Sequence, residues 1–171
     1  MNTESGEEEI INSFRHHFGL GEEINIEKAK EYCLKSFEKG NLVAKGMISY
    51  MGWEEEPDYQ KSFEFFEQQC KIDEKFVRVD TSYALHMMGF MYFKGQGREI
   101  NYQKSIELYN IANNLGNSMS MYNLGSLYES GKLIKHIFQD YNRKKKTQHK
   151  KKQHKKGVKN FFLGILFQLF Q

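Results

Sequence analysis

Cysteine is scarce in this sequence, whose 171 residues include only Cys33 and Cys70. Two cysteines are too few for a disulfide framework and lack neighbours of the metal-binding type, so we expect both thiols to be reduced. The first nine residues are acidic where a secretory signal is basic and then apolar, and no Asn-x-Ser/Thr acceptor occurs. These absences make a cytoplasmic location our expectation.

Long apolar runs and an even spread of charge are also missing. The longest apolar run, residues 161–170, is about half of the roughly 20 residues that a membrane-spanning helix requires, so we expect no segment to cross a bilayer. Residues 143–171 carry 10 of the 25 Lys and Arg residues and no acid. Residues 1–142 carry the other 15 and all 22 acidic residues, a net charge of −7. The chain is therefore predicted to contain one acidic domain, residues 1–142, and a basic tail, residues 143–171.

What the sequence does contain is an internal repeat. Residues 84–95 return 36 residues later as residues 120–131, with glycines and tyrosines in register. The segment between the two copies has small or apolar residues at spacings of three and four, which predicts one buried helical stripe. These are Ser105, Leu108, Tyr109, Ala112 and Leu115. The helix before this segment has an inward stripe of its own, predicted to be Ala84, Met87, Met88, Met91 and Tyr92. A helix–turn–helix unit recurring at this length predicts a stacked solenoid.

Earlier units follow from two further matches. Residues 19–29 match residues 95–105 at an offset of 76, and the run Tyr-Gln-Lys-Ser at 59–62 returns at 102–105. We interpret the helix before residue 19, which departs from the pattern, as a terminal cap that buries one face only, and residues 74–80 as an insertion. The predicted units are residues 8–40, 41–73, 82–116 and 118–131, the last with its first helix only. Apolar residues between 133 and 138 are predicted to cover its open end in place of a second helix.

Several single residues carry local predictions. Gly89 and Gly125 occupy the same mid-helix position in two units, at a cost of about 1 kcal/mol each relative to alanine, which predicts close approach of a partner helix. Asn25 and Asp58 are predicted helix caps. Residues 95–97, Gly-Gln-Gly, lack the later Gly and Lys of a phosphate-binding loop and predict a turn.

The repeat pattern resembles a known family. Ala-x-x-x-Leu-Gly-x-x-Tyr-x-x-Gly-x-Gly followed by Asp-x-x-Lys-Ala-x-x-x-Tyr-x-x-Ala-x-x-x-Gly is similar to the Sel-one-like repeat, a relative of the tetratricopeptide repeat. Residues 84–116 match nearly all of it, with Met88 for Leu, Asn101 for Asp and Ser105 for Ala, and residues 118–131 match its first half. The resemblance, over about residues 8–131, implies an all-α superhelix of about three and a half repeats. It also implies a protein-interaction scaffold or adaptor and no reaction.

The same resemblance suggests where a partner binds. In superhelices of this type the first helices usually line the concave face, so their outward positions are the candidate contacts, and exposed aromatic residues make good anchors. The candidates are His86, Phe90, Phe93, Tyr122 and Asn123. Alternatively, Phe90 and Phe93 pack against a neighbouring unit. The expected partner is another protein or a peptide, and no cofactor, metal ion or small-molecule substrate is predicted.

Catalytic patterns are weak. Ser36 and Lys39 fit the Ser-x-x-Lys spacing of β-lactamases, an activity linked to some bacterial members of the repeat family. The accompanying Ser-Asp-Asn and Lys-Thr-Gly motifs are absent, and Ser36 occupies a position where the repeat has Ala, so we expect packing and no enzyme. The histidines at 16–17, 149 and 154 lack zinc-type partners, and we expect solvated or capping roles for them.

The basic tail leaves three alternatives open. Residues 143–156 hold nine Lys and Arg in fourteen residues, a composition expected to be disordered when free. The run fits a nuclear-import or nucleic-acid patch, but it has no interleaved aromatic residues for base stacking, so nucleic acid is not the favoured partner. Together with the apolar residues 161–170 it fits a peripheral attachment to an anionic membrane. The third alternative is low-complexity sequence beyond the domain.

Overall fold

The computed structural model describes residues 6–72, 79–129 and 131. The chain divides into two units, Met1–Leu127 and Tyr128–Gln171, and the features described below belong to the first. Within the described residues the chain forms seven α-helices and no β-strand. They are α1 (Glu7–Phe18), α2 (Ile26–Glu38), α3 (Leu42–Met51), α4 (Tyr59–Ile72), α5 (Val79–Lys94), α6 (Tyr102–Asn114) and α7 (Ser118–Glu129).

Most helices begin at an asparagine or aspartate whose side-chain oxygen accepts a backbone hydrogen bond from the residue three positions later. Asn25 before α2 and Asp58 before α4 each accept such a bond at 2.9 Å, which confirms both predicted caps. Asn41 before α3 and Asn101 before α6 do the same at 3.1 and 3.0 Å. The recurring caps satisfy N–H groups that the first helical turn leaves without an intrahelical partner.

The two helices of each repeat pack against each other: α1 with α2, α3 with α4, and α5 with α6. The α2–α3 and α4–α5 contacts join consecutive pairs, so the fold is the predicted all-α solenoid. The predicted stripes of α5 and α6 face this core, and each large side chain that they bury contributes about 1.5–3 kcal/mol. Their buried members are Ala84, Met87, Met88, Met91, Ser105, Tyr109 and Ala112.

Small residues let paired helices approach closely. A Cβ added to Gly89 would lie 2.9 Å from the buried Tyr109 ring of α6, which confirms the close approach predicted there. Gly46 of α3 lies in the same way against the Phe66 ring of α4, a contact that the repeat comparison did not predict. For Gly125 the predicted close approach stays a prediction, since no atom of the described residues lies within 4 Å of such a Cβ. Tyr109 belongs to the second helix of its unit, and the described residues include no such helix after α7.

Helix α5 begins within the predicted insertion, residues 74–80. Val79 and Asp80 belong to α5, and the Asp80 carboxylate is fully buried. Its oxygens accept hydrogen bonds from the side-chain amides of Asn41 at 2.9 Å and Gln69 at 3.4 Å, the partners that a buried carboxylate needs. These bonds tie α5 to the second repeat. The remainder of the predicted insertion includes residues outside the described ranges.

Helix α1 contacts two helices rather than its partner α2 alone. The Phe14 ring stacks on the Tyr83 ring of α5 with centroids 4.3 Å apart, and the Glu7 carboxylate accepts a 3.0 Å hydrogen bond from the Val79 backbone N–H. The first helices of the first and third repeats therefore meet directly. The terminal helix expected to bury one face is packed on more than one side.

The remaining predictions concern membrane-spanning segments and the residues after α7. Among the residues that the structure describes, none of the helices has both the length and the apolar character needed to span a membrane. The basic tail, residues 143–171, and the apolar residues predicted between 133 and 138 to cover the open end lie outside the described residues.

Candidate functional site

A groove runs along the first helices of the repeats. It encloses about 540 Å³ and draws residues from the end of α1 and the loop after it, and from α3, α5 and α7. All of these lie within Met1–Leu127. The lining residues are His17, Phe18, Leu20, Met47, Tyr50, Met51, His86, Met87, Phe90, Ser118, Met119, Tyr122 and Asn123.

The lining follows from a second periodic stripe on each first helix. The groove residues of α3 and α7 are spaced by three and four, the period that places side chains on one helix face. Helix α5 has ten buried residues over its sixteen positions and is apolar nearly all round, because one face packs on α6 while another borders the groove. The first helices therefore serve both the core and the groove.

Among the residues that the structure describes, no Asp, Glu, Lys or Arg lines the groove. Its two histidines are disfavoured as cations, because burial lowers the pKa of His86 to about 4 and also lowers the pKa of His17. Burial raises the pKa of Tyr50 to about 12, and its hydroxyl donates a 2.8 Å hydrogen bond to Gln96 Oε1. The groove is consequently uncharged and mostly apolar at neutral pH, which suits large uncharged side chains.

Four of the five predicted contact residues are brought together here: His86, Phe90, Tyr122 and Asn123 line the groove. Tyr122 is the most open of them, with 79% of its surface exposed. The Asn123 amide donates a 3.3 Å hydrogen bond to the Tyr109 hydroxyl, which orients it from the core side. Phe90 is half-buried at the groove wall, so neither the fully exposed nor the packed alternative describes it completely.

His86 corrects the prediction of an outward position. Only 3% of its surface is exposed, and its Nδ1 lies 3.0 Å from Ser120 Oγ of α7. The Tyr109 ring of α6 also lies beside it, with centroids 5.4 Å apart. Two neighbouring helices cover the position, and this covering depends on packing that a one-helix pattern does not contain. His86 contributes to the groove floor.

Phe93 does not line the groove. Its ring lies 5.7 Å from the Tyr102 ring of α6, and the Lys94 ammonium lies 5.5 Å from its ring centroid. Phe93 therefore packs against α6 of its own repeat, and this contact is not the packing against a neighbouring unit that the alternative described. It is removed from the candidate site for this reason.

Sequence reasoning missed several groove residues. His17 was expected to be solvated or capping, yet it is partly buried in the groove with its ring 6.4 Å from the Trp53 ring. Four further methionine or aromatic residues of the groove were not among the predicted contacts, although the spacing of Met47 from Tyr50 and Met51 contained the signal. The missed residues include Phe18, Met47, Met51 and Met119.

The Ser-x-x-Lys pattern is accounted for by packing contacts. Ser36 is fully buried and its hydroxyl donates a 2.6 Å hydrogen bond to the Gly6 carbonyl. Lys39 pairs with the Glu9 carboxylate at 2.7 Å on the surface of the first repeat. A Ser-x-x-Lys nucleophile needs its serine open to a substrate, and Ser36 is closed.

The Gly-Gln-Gly segment forms the predicted turn after α5. A Cβ added to Gly97 would lie 2.6 Å from the Tyr59 backbone carbonyl oxygen, so glycine permits the turn to touch the second repeat. In the part of the chain that the structure describes, no group of three His, Cys, Asp or Glu residues is arranged to hold a metal ion. Cys33 is a buried free thiol, and burial raises its pKa to about 12.

Comparisons with known proteins agree with this architecture. The chain is 27% identical over 124 residues to a sel1-like repeat-containing protein of Acanthamoeba polyphaga mimivirus; the match covers 71% of this chain and 21% of that protein, so the chain spans about a fifth of the relative's length.

Two solved structures are also similar. One is a protective antigen present in uropathogenic Escherichia coli strains that displays an SLR fold, at 25% identity and a TM-score of 0.45, over 72% of this chain and 26% of that one. The other is a Sel1 repeat protein from Oxalobacter formigenes, at 18% identity and a TM-score of 0.45, over 72% of this chain and 49% of that one.

The family model of the Sel1 repeat matches four segments that together exceed half of the chain: residues 14–41, 43–70, 82–117 and 118–143. The matched segments begin within or just before the first helix of each helix pair, and the last takes in α7. This chain is a member of the Sel1 repeat family.

Proposed function

We propose that the protein is a scaffold or adaptor that binds a peptide, or a short segment of another protein, in the groove along its first helices. Sel1 repeat proteins generally mediate protein–protein interactions. The observation that carries the proposal is the uncharged groove of about 540 Å³, bordered by an aromatic side chain, Tyr122, that is 79% exposed. An aromatic anchor beside an apolar depression is the usual centre of a protein-binding site.

The lining also suits a ligand with several apolar side chains. Four methionines, Met47, Met51, Met87 and Met119, contribute to it, and the unbranched methionine side chain adapts its shape to different partners. Tyr50 and Asn123 are held by hydrogen bonds to Gln96 and Tyr109, so part of the wall is already ordered before a partner arrives. Ordered walls reduce the entropy lost on binding.

Peptide selection tests the proposal. Peptides selected from a random library against the full chain should bind wild type and lose about fivefold or more in affinity to Tyr122→Ala, because truncating a binding anchor costs about 1 kcal/mol or more. Fluorescence anisotropy of the labelled peptides measures the change. Ile111→Ala on α6 is the matched control, since Ile111 is a large apolar residue, 48% exposed, that does not line the groove.

The opposite outcome is equally clear. Selected peptides that bind wild type and Tyr122→Ala equally, or that respond to Ile111→Ala instead, would place binding on another surface. Circular dichroism of each variant checks that the helices are retained. An exposed substitution of this kind is expected to change stability by no more than about 0.5 kcal/mol.

Two further points belong to the proposal. The protein is proposed to act without catalysis, supported by the closed environment of Ser36 and by a family that is generally non-catalytic. A cytoplasmic location is proposed on the same footing, supported by a cysteine content too low for a disulfide framework, and cell fractionation tests it. Attachment of the basic tail to an anionic membrane or to nucleic acid stays a prediction, because residues 143–171 lie outside the described residues.

A further inference from the structure

The loops that follow α1 and α3 are strongly acidic. Loop 19–25 contains Glu22 and Glu23, loop 52–58 contains Glu54, Glu55, Glu56 and Asp58, and neither contains a basic residue. All six carboxylate residues are exposed. By contrast, the described loops that join one repeat to the next, residues 39–41 and 115–117, contain Lys39 and no acid. Negative charge is therefore concentrated where α1 and α3 end, whereas loop 95–101 after α5 carries Arg98 and Glu99, whose charges balance.

These two acidic loops border the groove. Leu20 of loop 19–25 lines it, and Met51, the last residue of α3 before loop 52–58, lines it as well. Trp53 of the second loop lies against His17 of the groove, with ring centroids 6.4 Å apart. The acidic loops are thus continuous with the end of the groove formed by α1 and α3.

The carboxylates of these loops are available to a partner. Within the described residues the five glutamates make no ion pair, whereas Asp58 caps α4. Glu54, Glu55 and Glu56 also line a second depression, of about 340 Å³. Its described lining includes only two cations, Lys45 and Lys61, so acidic residues outnumber basic ones there. The net charge of −7 over residues 1–142 has the same sign.

We infer that the groove accepts a segment whose large apolar side chains are flanked by lysine or arginine. The inference rests on the proposed function and names the chemistry of its partner. The uncharged lining rejects charged side chains inside the groove, because a buried charge without a partner is costly. The acidic loops attract cations that emerge from its end, since complementary charge speeds association and suppresses partners of the wrong sign.

Three synthetic peptides of about 14 residues, roughly four helical turns, test this partner chemistry. They share Leu and Phe anchors at the helical spacings of three and four and differ only in flanking residues, which are Lys, Gln or Glu. The Lys-flanked peptide should bind the full chain about tenfold more tightly than the Gln-flanked one at low salt, and the Glu-flanked one should bind most weakly. Raising the salt to about 0.5 M should reduce these differences, because exposed charges are then screened.

A variant of the chain locates the effect. Replacing Glu22, Glu23, Glu54, Glu55 and Glu56 by Gln should weaken the Lys-flanked peptide about three- to tenfold and leave the Gln-flanked peptide unchanged. The control replaces three exposed glutamates of the second helices, Glu38, Glu64 and Glu107, by Gln. These residues do not line the groove, so the control should change the Lys-flanked affinity much less.

The outcomes separate this inference from the proposed function. Equal binding of the three peptides, with all three weakened by Tyr122→Ala, would overturn the inference about charge and retain the groove as a peptide site. Tightest binding of the Glu-flanked peptide would also overturn it. Failure of all three peptides to bind, or binding indifferent to Tyr122→Ala, would overturn the proposed function as well.

Discussion

Replacing Gly46 by alanine is expected to destabilise the protein, whereas the same replacement at Gly125 is expected to stabilise it. Both glycines lie inside helices, α3 and α7, so the intrinsic helix preference favours alanine at each. The difference lies in what the added methyl group meets. At Gly46 it meets a partner helix, and at Gly125 no described atom lies within 4 Å.

The magnitudes follow from these surroundings. The helix preference of alanine over glycine is worth about 1 kcal/mol at either site. At Gly46 a Cβ would lie within 2.8 Å of three atoms of the fully buried Phe66 ring, and overpacking a core typically costs about 1–3 kcal/mol. The upper part of that range applies because the ring has no space to withdraw into. We expect Gly46→Ala to lower the free energy of unfolding by about 1–2 kcal/mol, and Gly125→Ala to raise it by about 0.5–1 kcal/mol.

Urea unfolding followed by helical circular dichroism at equilibrium measures both changes. Gly89→Ala provides an intermediate point, since its Cβ would lie 2.9 Å from the Tyr109 ring and 3.3 Å from the Ser105 carbonyl oxygen. Gly125→Ala is expected to be the most stable protein, more stable than wild type. Gly89→Ala is expected to be less stable than Gly125→Ala, and Gly46→Ala the least stable of all. A Gly46→Ala protein as stable as Gly125→Ala would refute the close packing of α3 on α4.

Two other predictions concern buried polar groups. Ser36→Ala should lower the free energy of unfolding by about 0.5–1.5 kcal/mol, because it removes the buried hydrogen bond from the Ser36 hydroxyl to the Gly6 carbonyl, which then keeps the Ile10 N–H as its donor. Ser126→Ala on the exposed side of α7 is the control, and an equal effect of the two in urea unfolding would contradict the assignment. Burial lowers the pKa of His86 to about 4, so the unfolded chain binds a proton at this histidine before the folded chain does as the pH falls. The contribution of neutral His86 to the free energy of unfolding is therefore complete above about pH 6.5 and is lost towards pH 4, and it amounts to on the order of 3 kcal/mol at most. Unfolding measured between these pH values should depend less on pH in His86→Gln, and an unchanged dependence would show that His86 is not the group responsible.

The sequence determined the repeat and its helices for local physical reasons. Glycines, tyrosines and apolar residues recur at helical spacing. Asn25 and Asp58 each cap the helix that follows, and these caps could be predicted because a cap depends only on a residue three positions away. The packing of the predicted α5 stripe also followed from spacing alone. The length of α5 did not, because Asp80 joins that helix only through Asn41 and Gln69, which come from the second repeat.

The candidate site was predictable in part. Phe90, Tyr122 and Asn123 line the groove, since the family resemblance and the helical period together identify the face of a first helix, and their contact with a partner stays a prediction. The predicted exposure of His86 was wrong, because this residue is buried, and Phe93 does not lie in the groove lining. Each is covered by a residue from another helix, Ser120 of α7 and Tyr102 of α6, and a single-helix pattern holds no information about such neighbours.

By itself, then, the sequence determined which segments are helices, where they begin and which stripe is buried, because those properties arise from neighbours along the chain. Only the tertiary structure decided that α1 meets α5, that the second stripes of four first helices enclose one uncharged groove, and that two acidic loops border its end. Those properties depend on contacts between side chains of different repeats, such as the Phe14 and Tyr83 rings, and spacing in the sequence does not reveal how such side chains fit together.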